Sequence, residues 1–177
     1  MSHAAGSAAP ALCKSCQGAM EAAGPARLIS AGICDSCLAS LSSGNKAACR
    51  EILQAMDAPI LLMQPDPRQV FTANGRALAL FGRNLAEAEG HRGGEVFGCV
   101  HSFTQDGCGK DAHCDDCKIK AAIVGGFTSA ASAESTLTIR SGGGDQLHTL
   151  AVSAEKAGGY ALVRIERFEP QNGGQND

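Results

Sequence analysis

The stretch MDAPILLMQPDPRQVFTANGRALALFG, residues 56–82, carries signals for two strands and a helix in close succession. The apolar run Ile60 to Met63 predicts a buried strand, and the QPDP turn after it can neither continue a strand nor easily start a helix. Residues 69–73 predict a second strand. Asn74 fits the N-cap of a helix that ends at Gly82.

Helical spacing of apolar residues predicts one helix before this stretch and two after it. The leading helix follows a short linker in which Asn45 can act as its N-cap. Its apolar stripe consists of Ala48, Cys49, Ile52, Leu53 and Met56. Cys49 is interpreted as a small buried hydrophobe within that stripe. The later helices are predicted at residues 84–89 and 118–127.

The last third of the chain changes to the alternating period of strands. Apolar residues alternate with polar ones around Leu137, Leu150 and Val163, and glycine turns lie at 142–144 and 158–159. This pattern predicts a three-strand antiparallel meander. The whole order predicts an α+β fold: a five-stranded antiparallel sheet with helices on one face.

Composition and charge exclude several classes of function. The formal net charge is −3 and the fifteen Lys and Arg are scattered, so the chain lacks the basic stripe of a nucleic-acid-binding protein. The longest strongly apolar run is too short to span a membrane, and the N-terminus does not resemble a signal peptide. We therefore expect a reducing cytoplasm, where nine cysteines favour metal ligands or free thiols over disulfides.

The cysteines divide the chain into a small module and a larger domain. We expect a flexible lead-in at 1–11, a zinc-knuckle-like module at 12–42, a larger domain at 46–168 and a disordered tail at 169–177. Thirty residues cannot enclose a core that offsets chain entropy, so the module needs a metal to fold.

The N-terminal cysteine group, defined as Cys13, Cys16, Cys34 and Cys37, forms two CxxC pairs separated by seventeen residues. This spacing is typical of a closed tetrahedral zinc site. An iron centre and free or redox-active thiols remain alternatives.

The loop cysteine group, defined as Cys99, Cys108, Cys114 and Cys117, suits either zinc or an iron-sulfur cluster, because both are held by four thiolates. His101 and His113 flank ligand cysteines and could replace a thiolate, although each also fits a solvated loop residue. Zinc would brace a loop without a core of its own. A cluster would give the protein something to sense, since oxidation could disassemble it and release the loop.

The order of elements resembles the PAS domain family. Residues 56–82 resemble the opening of a PAS domain, and NLAEAEG, residues 84–90, resembles the Glu-x-x-Gly step after its first long helix, with Glu87 and Gly90. The resemblance covers residues 46–168. It implies the five-stranded antiparallel fold, a sensory or protein-interaction role, and dimerisation in many members through the leading helix.

Both cysteine groups carry resemblances of their own. GEVFGCVHSFTQDGCGKDAHCDDCKIKAAI, residues 94–123, is similar to an insertion in a subset of bacterial PAS sensors. LCKSCQGAM and AGICDSCLASL, residues 12–20 and 31–41, resemble small CxxC modules attached to some bacterial signalling proteins, although the spacing between the knuckles is shorter here.

The sequence therefore predicts a non-catalytic sensor that signals through contact with a kinase, a regulator or a second copy of itself, without nucleic acid or membrane. Because the PAS-like region reaches almost to the last residue, we expect no histidine kinase, cyclase or DNA-binding domain after it in this sequence. Ile52, Leu53 and Met56 could form the contact surface if they are not core. One alternative is a small thiol-disulfide oxidoreductase using Cys114 and Cys117. Another is a purely structural, zinc-stabilised adaptor.

Overall fold

The computed structural model describes residues 10–20 and 29–171. The predicted lead-in, apart from its last two residues, lies outside the described residues, as do residues 21–28 and 172–177. The elements follow one another in this order: α1 (Asp35–Ser40), α2 (Lys46–Gln54), β1 (Ile60–Pro65), β2 (Arg68–Ala73), α3 (Gly75–Phe81), α4 (Leu85–Ala88), α5 (Gly93–Phe97), 3₁₀ turns at Val100–Phe103 and Ala112–Cys114, α6 (Lys118–Gly126), β3 (Ala130–Ser141), β4 (Gly144–Ala157) and β5 (Tyr160–Pro170).

The five strands form one antiparallel sheet in the order β2-β1-β5-β4-β3. The first two strands make a hairpin, and the last three make the meander that the alternating pattern predicts. Four short helices connect the hairpin to the meander. The predicted α+β class, with a PAS-like five-stranded sheet and helices, is confirmed.

Strand β1 explains why the decisive stretch contains four consecutive apolar residues. Neighbouring side chains of a strand point to opposite faces of the sheet. Leu61 and Met63 pack into a core with α3 to α6, whereas Ile60 and Leu62 pack into a second core on the other face. All four are fully buried, so both faces of the sheet are covered at this strand.

The second core joins the N-terminal module to the sheet. It contains Cys13, Ile33 and Leu41 of the module together with residues of α2, β1 and β5. Helix α2 therefore lies on the face opposite α3 to α6, so the predicted placement of the helices on one face is wrong for α2. The division of the chain at residues 42–46 stays a prediction.

The apolar stripe of α2 faces this second core. Ile52, Leu53 and Met56 are at most 6% exposed, so the interpretation as core is confirmed and their suggested use as a contact surface is wrong. Cys49 is fully buried as predicted, and its thiol donates a hydrogen bond to the Leu41 carbonyl at 3.4 Å.

Asn74 ties the decisive stretch together. Its Oδ1 accepts hydrogen bonds from the backbone N–H of Ala77, which makes the predicted N-cap, and from that of Ile60, both at 3.0 Å. Its Nδ2 donates to the carbonyls of Leu53 and Ala58. The buried side chain thus joins α2, β1 and α3.

Strand β5 continues to Pro170, so residues 169 and 170 belong to the sheet and not to a disordered tail. Glu169 pairs with Thr149, and Pro170 pairs with His148. The long strand β4 supplies backbone partners that a local pattern cannot reveal. Among the described residues, no helix is both long and apolar enough to cross a membrane.

Candidate metal centres

The fold brings the N-terminal cysteine group together. All four sulfurs lie within 4.8 Å of one another and could hold a metal ion. The sulfurs of Cys13 and Cys37 are 3.9 Å apart, and those of Cys16 and Cys34 are 3.7 Å apart. Tetrahedral zinc with Zn–S bonds of about 2.3 Å requires sulfurs about 3.8 Å apart. These two separations fit a mononuclear zinc site.

Two backbone knuckles position these sulfurs. In the first, the Cys13 amide donates to the Gly18 carbonyl at 2.9 Å, which closes a tight turn. In the second, Cys34 is the N-cap of α1 and its Sγ accepts a hydrogen bond from the Cys37 amide at 3.4 Å. The Cys34 amide in turn donates to the Cys13 sulfur at 3.3 Å. Backbone amides directed at sulfur stabilise thiolate ligands.

The thiols of this group affect one another strongly. Burial raises the pKa of Cys13, but the backbone amides of Cys16, Cys34 and Ser15 outweigh this effect and lower the pKa to about 6. Burial and the adjacent thiols of Cys34 and Cys16 raise the pKa of Cys37 to about 12. Four thiolates at this spacing need a compensating positive charge, which a divalent metal ion supplies.

Contacts to the sheet hold the second knuckle in place. The Glu155 carboxylate on β4 accepts hydrogen bonds from the Ile29 amide at 2.9 Å and from the Ser30 hydroxyl. Ser30 is fully buried. An exposed ion pair between Lys14 and Asp57 links the first knuckle to the end of α2, but solvent screening makes its contribution small.

The loop cysteine group lies where the cysteine-rich loop meets α5, α6 and β3. Cys99 follows α5 and forms a bridge to Ile139 of β3. Cys114 is buried at 6% exposure at the end of a 3₁₀ turn. Cys117 is the N-cap of α6. Three elements of the PAS-like domain therefore converge on these cysteines.

Backbone amides support three of the four sulfurs. The sulfur of Cys117 accepts from the Lys120 amide at 3.4 Å. The amides of His101 and Gly94 donate to the sulfurs of Cys99 and Cys108, respectively. This pattern is typical of metal-bound thiolates.

Cations surround the same loop. Arg92 donates to the Cys108 carbonyl at 3.0 Å, and Lys120 donates to the Cys114 carbonyl at 3.2 Å. The charge of Arg68 acts directly on the Cys108 thiol and favours its ionised form. A centre with four thiolates is anionic, so nearby positive charges stabilise it.

Without a metal, the thiols of Cys99 and Cys108 favour the protonated form. Burial raises the pKa of Cys99, and the neighbouring charges of Cys108, Cys114 and Cys117 raise it further. Burial likewise raises the pKa of Cys108, and Cys114 and Cys117 add to this effect. The four thiols are thus close enough to interact electrostatically.

The loop cysteine group is more open than the N-terminal group. Among the described residues, two groups have ligand atoms that all lie within 4.8 Å of one another. The sulfurs of the loop cysteine group do not meet this limit. Four sulfurs on a single zinc ion must lie about 3.8 Å apart. In a cluster the four thiolates are shared among two or four iron atoms, and sulfurs bound to different iron atoms stand farther apart.

The second compact set is the histidine-aspartate group, defined as His101, Asp111 and His113. The two histidines therefore lie next to each other and to Asp111. Neither forms a compact ligand set with the cysteines, as a replacement for a thiolate would. The amide and ring of His113 lower the pKa of Asp111 to about 2, so this carboxyl is ionised at neutral pH. Sequence reasoning missed Asp111, although a carboxylate two residues before a histidine was a usable signal.

Of the other histidines, His91 and His148 lie within the described residues, and neither belongs to a ligand cluster. His91 is exposed, and its Nδ1 lies 3.2 Å from the Glu89 carbonyl. His148 is 9% exposed and stacks on Phe168, as expected for a satisfied polar residue on a strand.

Comparison with known proteins gives likenesses among solved structures alone. Neither a family model nor a curated protein matches the chain. Solved structures that match include the Rhodobacter sphaeroides LOV protein, at 13% identity and a TM-score of 0.43, with 72% of this chain and 66% of that chain covered. The chain thus spans just under two thirds of that protein. The strand order and the packing carry the fold assignment given above.

Proposed function

We propose that this protein is a PAS-type sensor in which the N-terminal cysteine group binds structural zinc and the loop cysteine group binds an iron-sulfur cluster. The observation that carries the proposal is the convergence of four interacting cysteines on α5, α6 and β3, with backbone amides directed at three sulfurs.

The difference in sulfur spacing supports the assignment of the two metals. In the N-terminal cysteine group, separations of 3.7 and 3.9 Å match one zinc ion. Cys13 is buried and the module contributes to the second core, which is consistent with a structural role. The wider loop cysteine group favours a polynuclear centre, and the cations around it suit an anionic cluster.

The connections of the loop supply a path for the signal. The Arg140 amide donates to the Gly98 carbonyl at 2.7 Å, so the start of the loop is bonded to β3. Cys117 begins α6, which packs on the same sheet. Assembly or loss of the cluster would change the order of the loop, and hence the surface around β3 and α6.

We propose that this surface signals by contact, to a kinase, to a regulator or to a second copy of the chain in a homodimer. Labile iron-sulfur chemistry and nine free cysteines suit a reducing cytoplasm. Neither nucleic acid nor a membrane is needed for such a role.

Anaerobic purification followed by absorption spectroscopy and analysis of iron, sulfide and zinc tests this proposal. We expect one zinc ion, iron and sulfide in equal amounts, and visible charge-transfer absorption. Cys99→Ser or Cys117→Ser should remove the iron and sulfide but leave the zinc. Cys49→Ala is the matched control and should leave both metals. Two zinc ions and a colourless protein would overturn the cluster assignment.

The burial of Cys114 argues against a thiol-disulfide oxidoreductase. A disulfide substrate must reach the attacking sulfur, yet this residue is only 6% exposed. Metal-free protein that reduces a disulfide substrate, with activity lost in Cys117→Ser, would favour the enzyme instead.

A further inference from the structure

The histidine-aspartate group lies on the outer side of the loop that contains the four cysteines. His101 follows Cys99 by two residues, and His113 immediately precedes Cys114. The Asp111 side chain is 12% exposed, His101 is 33% exposed and His113 is 70% exposed. One ligand is therefore fixed inside the loop while two others face outward.

The geometry points to an additional, exchangeable metal site in the loop. Nδ1 of His101, Nδ1 of His113 and Oδ1 of Asp111 would bind a divalent transition-metal ion such as Zn²⁺ or Co²⁺ there. The site is separate from both cysteine groups. Two imidazoles and one carboxylate form a harder donor set than four thiolates, so the two sites of the loop would select different metals.

The distances fit such an ion. Asp111 Oδ1 lies 2.8 Å from Nδ1 of His113 and 3.7 Å from Nδ1 of His101. Tetrahedral ligands at about 2.0–2.1 Å from zinc are about 3.3 Å apart, midway between these values. The ligand atoms of all three residues lie within 4.8 Å of one another.

Binding by both histidines requires one ring to rotate, because a metal ion lies close to the plane of each imidazole that binds it. Their planes are stacked, with centroids 4.3 Å apart and an interplanar angle of 13°. His113 is 70% exposed, so its ring can make this rotation without disturbing a packed core. Asp111 is held by the 3₁₀ turn, because its Oδ1 also accepts the His113 amide at 2.9 Å. Binding would replace the proton between Asp111 and His113, which would pass to solvent.

Three protein ligands leave at least one coordination position open. Closed four-ligand sites are typically structural, whereas three-ligand sites accept water or another ligand. Because His113 is mostly exposed, an ion here would exchange with solvent. The loop would then respond to two inputs, the inner cluster and the availability of an outer metal ion.

Cobalt titration of the full chain, as isolated with its cysteine-bound metals, tests this inference. We expect one additional Co²⁺ with weak visible ligand-field bands and no new thiolate-to-cobalt charge-transfer absorption in the near ultraviolet. His113→Ala and His101→Ala should each weaken binding by more than about 100-fold, since loss of an outer-shell partner alone costs about 10–100-fold. His113→Gln gives a second, milder variant at the exposed position.

His91→Ala is the matched control, since it removes an exposed histidine outside the group. It should bind cobalt as the unmodified chain does. Equal affinity in all these proteins, or new thiolate-to-cobalt absorption, would overturn the site. Failure of the cluster assignment is a separate result, because it is read from iron and sulfide content before cobalt is added.

Discussion

Gly94 and Cys108 approach each other so closely that a Cβ at position 94 would displace the Cys108 side chain. A Cβ placed on Gly94 would lie 2.7 Å from the Cys108 sulfur and 3.1 Å from its Cβ. The Gly94 amide also donates a hydrogen bond to that sulfur. This glycine therefore positions a proposed ligand by its lack of a side chain.

Gly94→Ala should displace Cys108 and reduce binding at the loop cysteine group. A perturbed ligand environment typically costs about 10–100-fold in metal affinity, and we expect iron occupancy to fall accordingly. Iron and sulfide analysis measures the change. Gly142→Ala is the control, because a Cβ there meets nothing within 4 Å. Unchanged iron content in Gly94→Ala would contradict the positioning role of Gly94.

Cys16→Ser should destabilise the protein through loss of zinc. Cys16 is exposed, so the substitution removes a ligand without opening a cavity. We expect a loss of about 3 kcal/mol, at the upper end for a single substitution, which lowers Tm by roughly 6–12 °C. Calorimetry with zinc analysis measures both effects. The exposed Ser36→Ala change between the cysteines of the second knuckle should have little effect. Full stability without zinc would contradict a structural site.

Glu155→Ala should loosen the second knuckle from the sheet. The carboxylate accepts hydrogen bonds from Ile29 and from buried Ser30, and bonds to charged groups contribute roughly 1.5–3 kcal/mol. We expect a comparable fall in the free energy of unfolding and faster proteolysis within residues 12–42. Glu134→Ala removes only an exposed ion pair with Arg167 and is the control. Equal effects of the two changes would contradict this docking contact.

The metal-free protein should become more stable as the pH rises from about 6 towards 9. The pKa of Cys13 is about 6 in the folded chain, below its ordinary value of 9.0, so folding favours the thiolate. This stabilisation is complete above the unfolded pKa and is lost as the pH falls through the folded one. Above pH 9 the raised pKa of Cys37 acts in the opposite direction.

Denaturant unfolding of chelator-treated protein at several pH values measures this dependence. Cys13→Ala should flatten the slope between pH 6 and 9, whereas Cys49→Ala should retain it. If the free energy of unfolding of Cys13→Ala still rises between pH 6 and 9, groups other than Cys13 cause the pH dependence.

The local elements of the fold were predictable because their signals are local. Asn74 as an N-cap and Gly82 as a helix stop are confirmed, and Gly82 has the left-handed φ of 61° that such a stop requires. The N-terminal cysteine group was also predictable, since a CxxC turn places two sulfurs on one ion whatever the surrounding fold.

Contacts between distant segments were not predictable. The hydrogen bonds of Asn74 to Leu53 and Ala58 depend on where α2 packs, and the apolar stripe of α2 fits either core or contact surface equally well. The convergence of Asp111 with both histidines depends on how the loop folds around its cysteines.

The sequence by itself determined the α+β class, the order of the strands and of every α-helix except α1 and α5, and the composition of the two cysteine groups, because periodicity, capping and CxxC spacing act over a few residues. Only the tertiary structure decided that the N-terminal module shares a core with the sheet, that its four sulfurs are compact while those of the loop are wider, and that two histidines share a carboxylate. Those relationships depend on the packing of residues far apart in the chain, which a local sequence pattern does not specify.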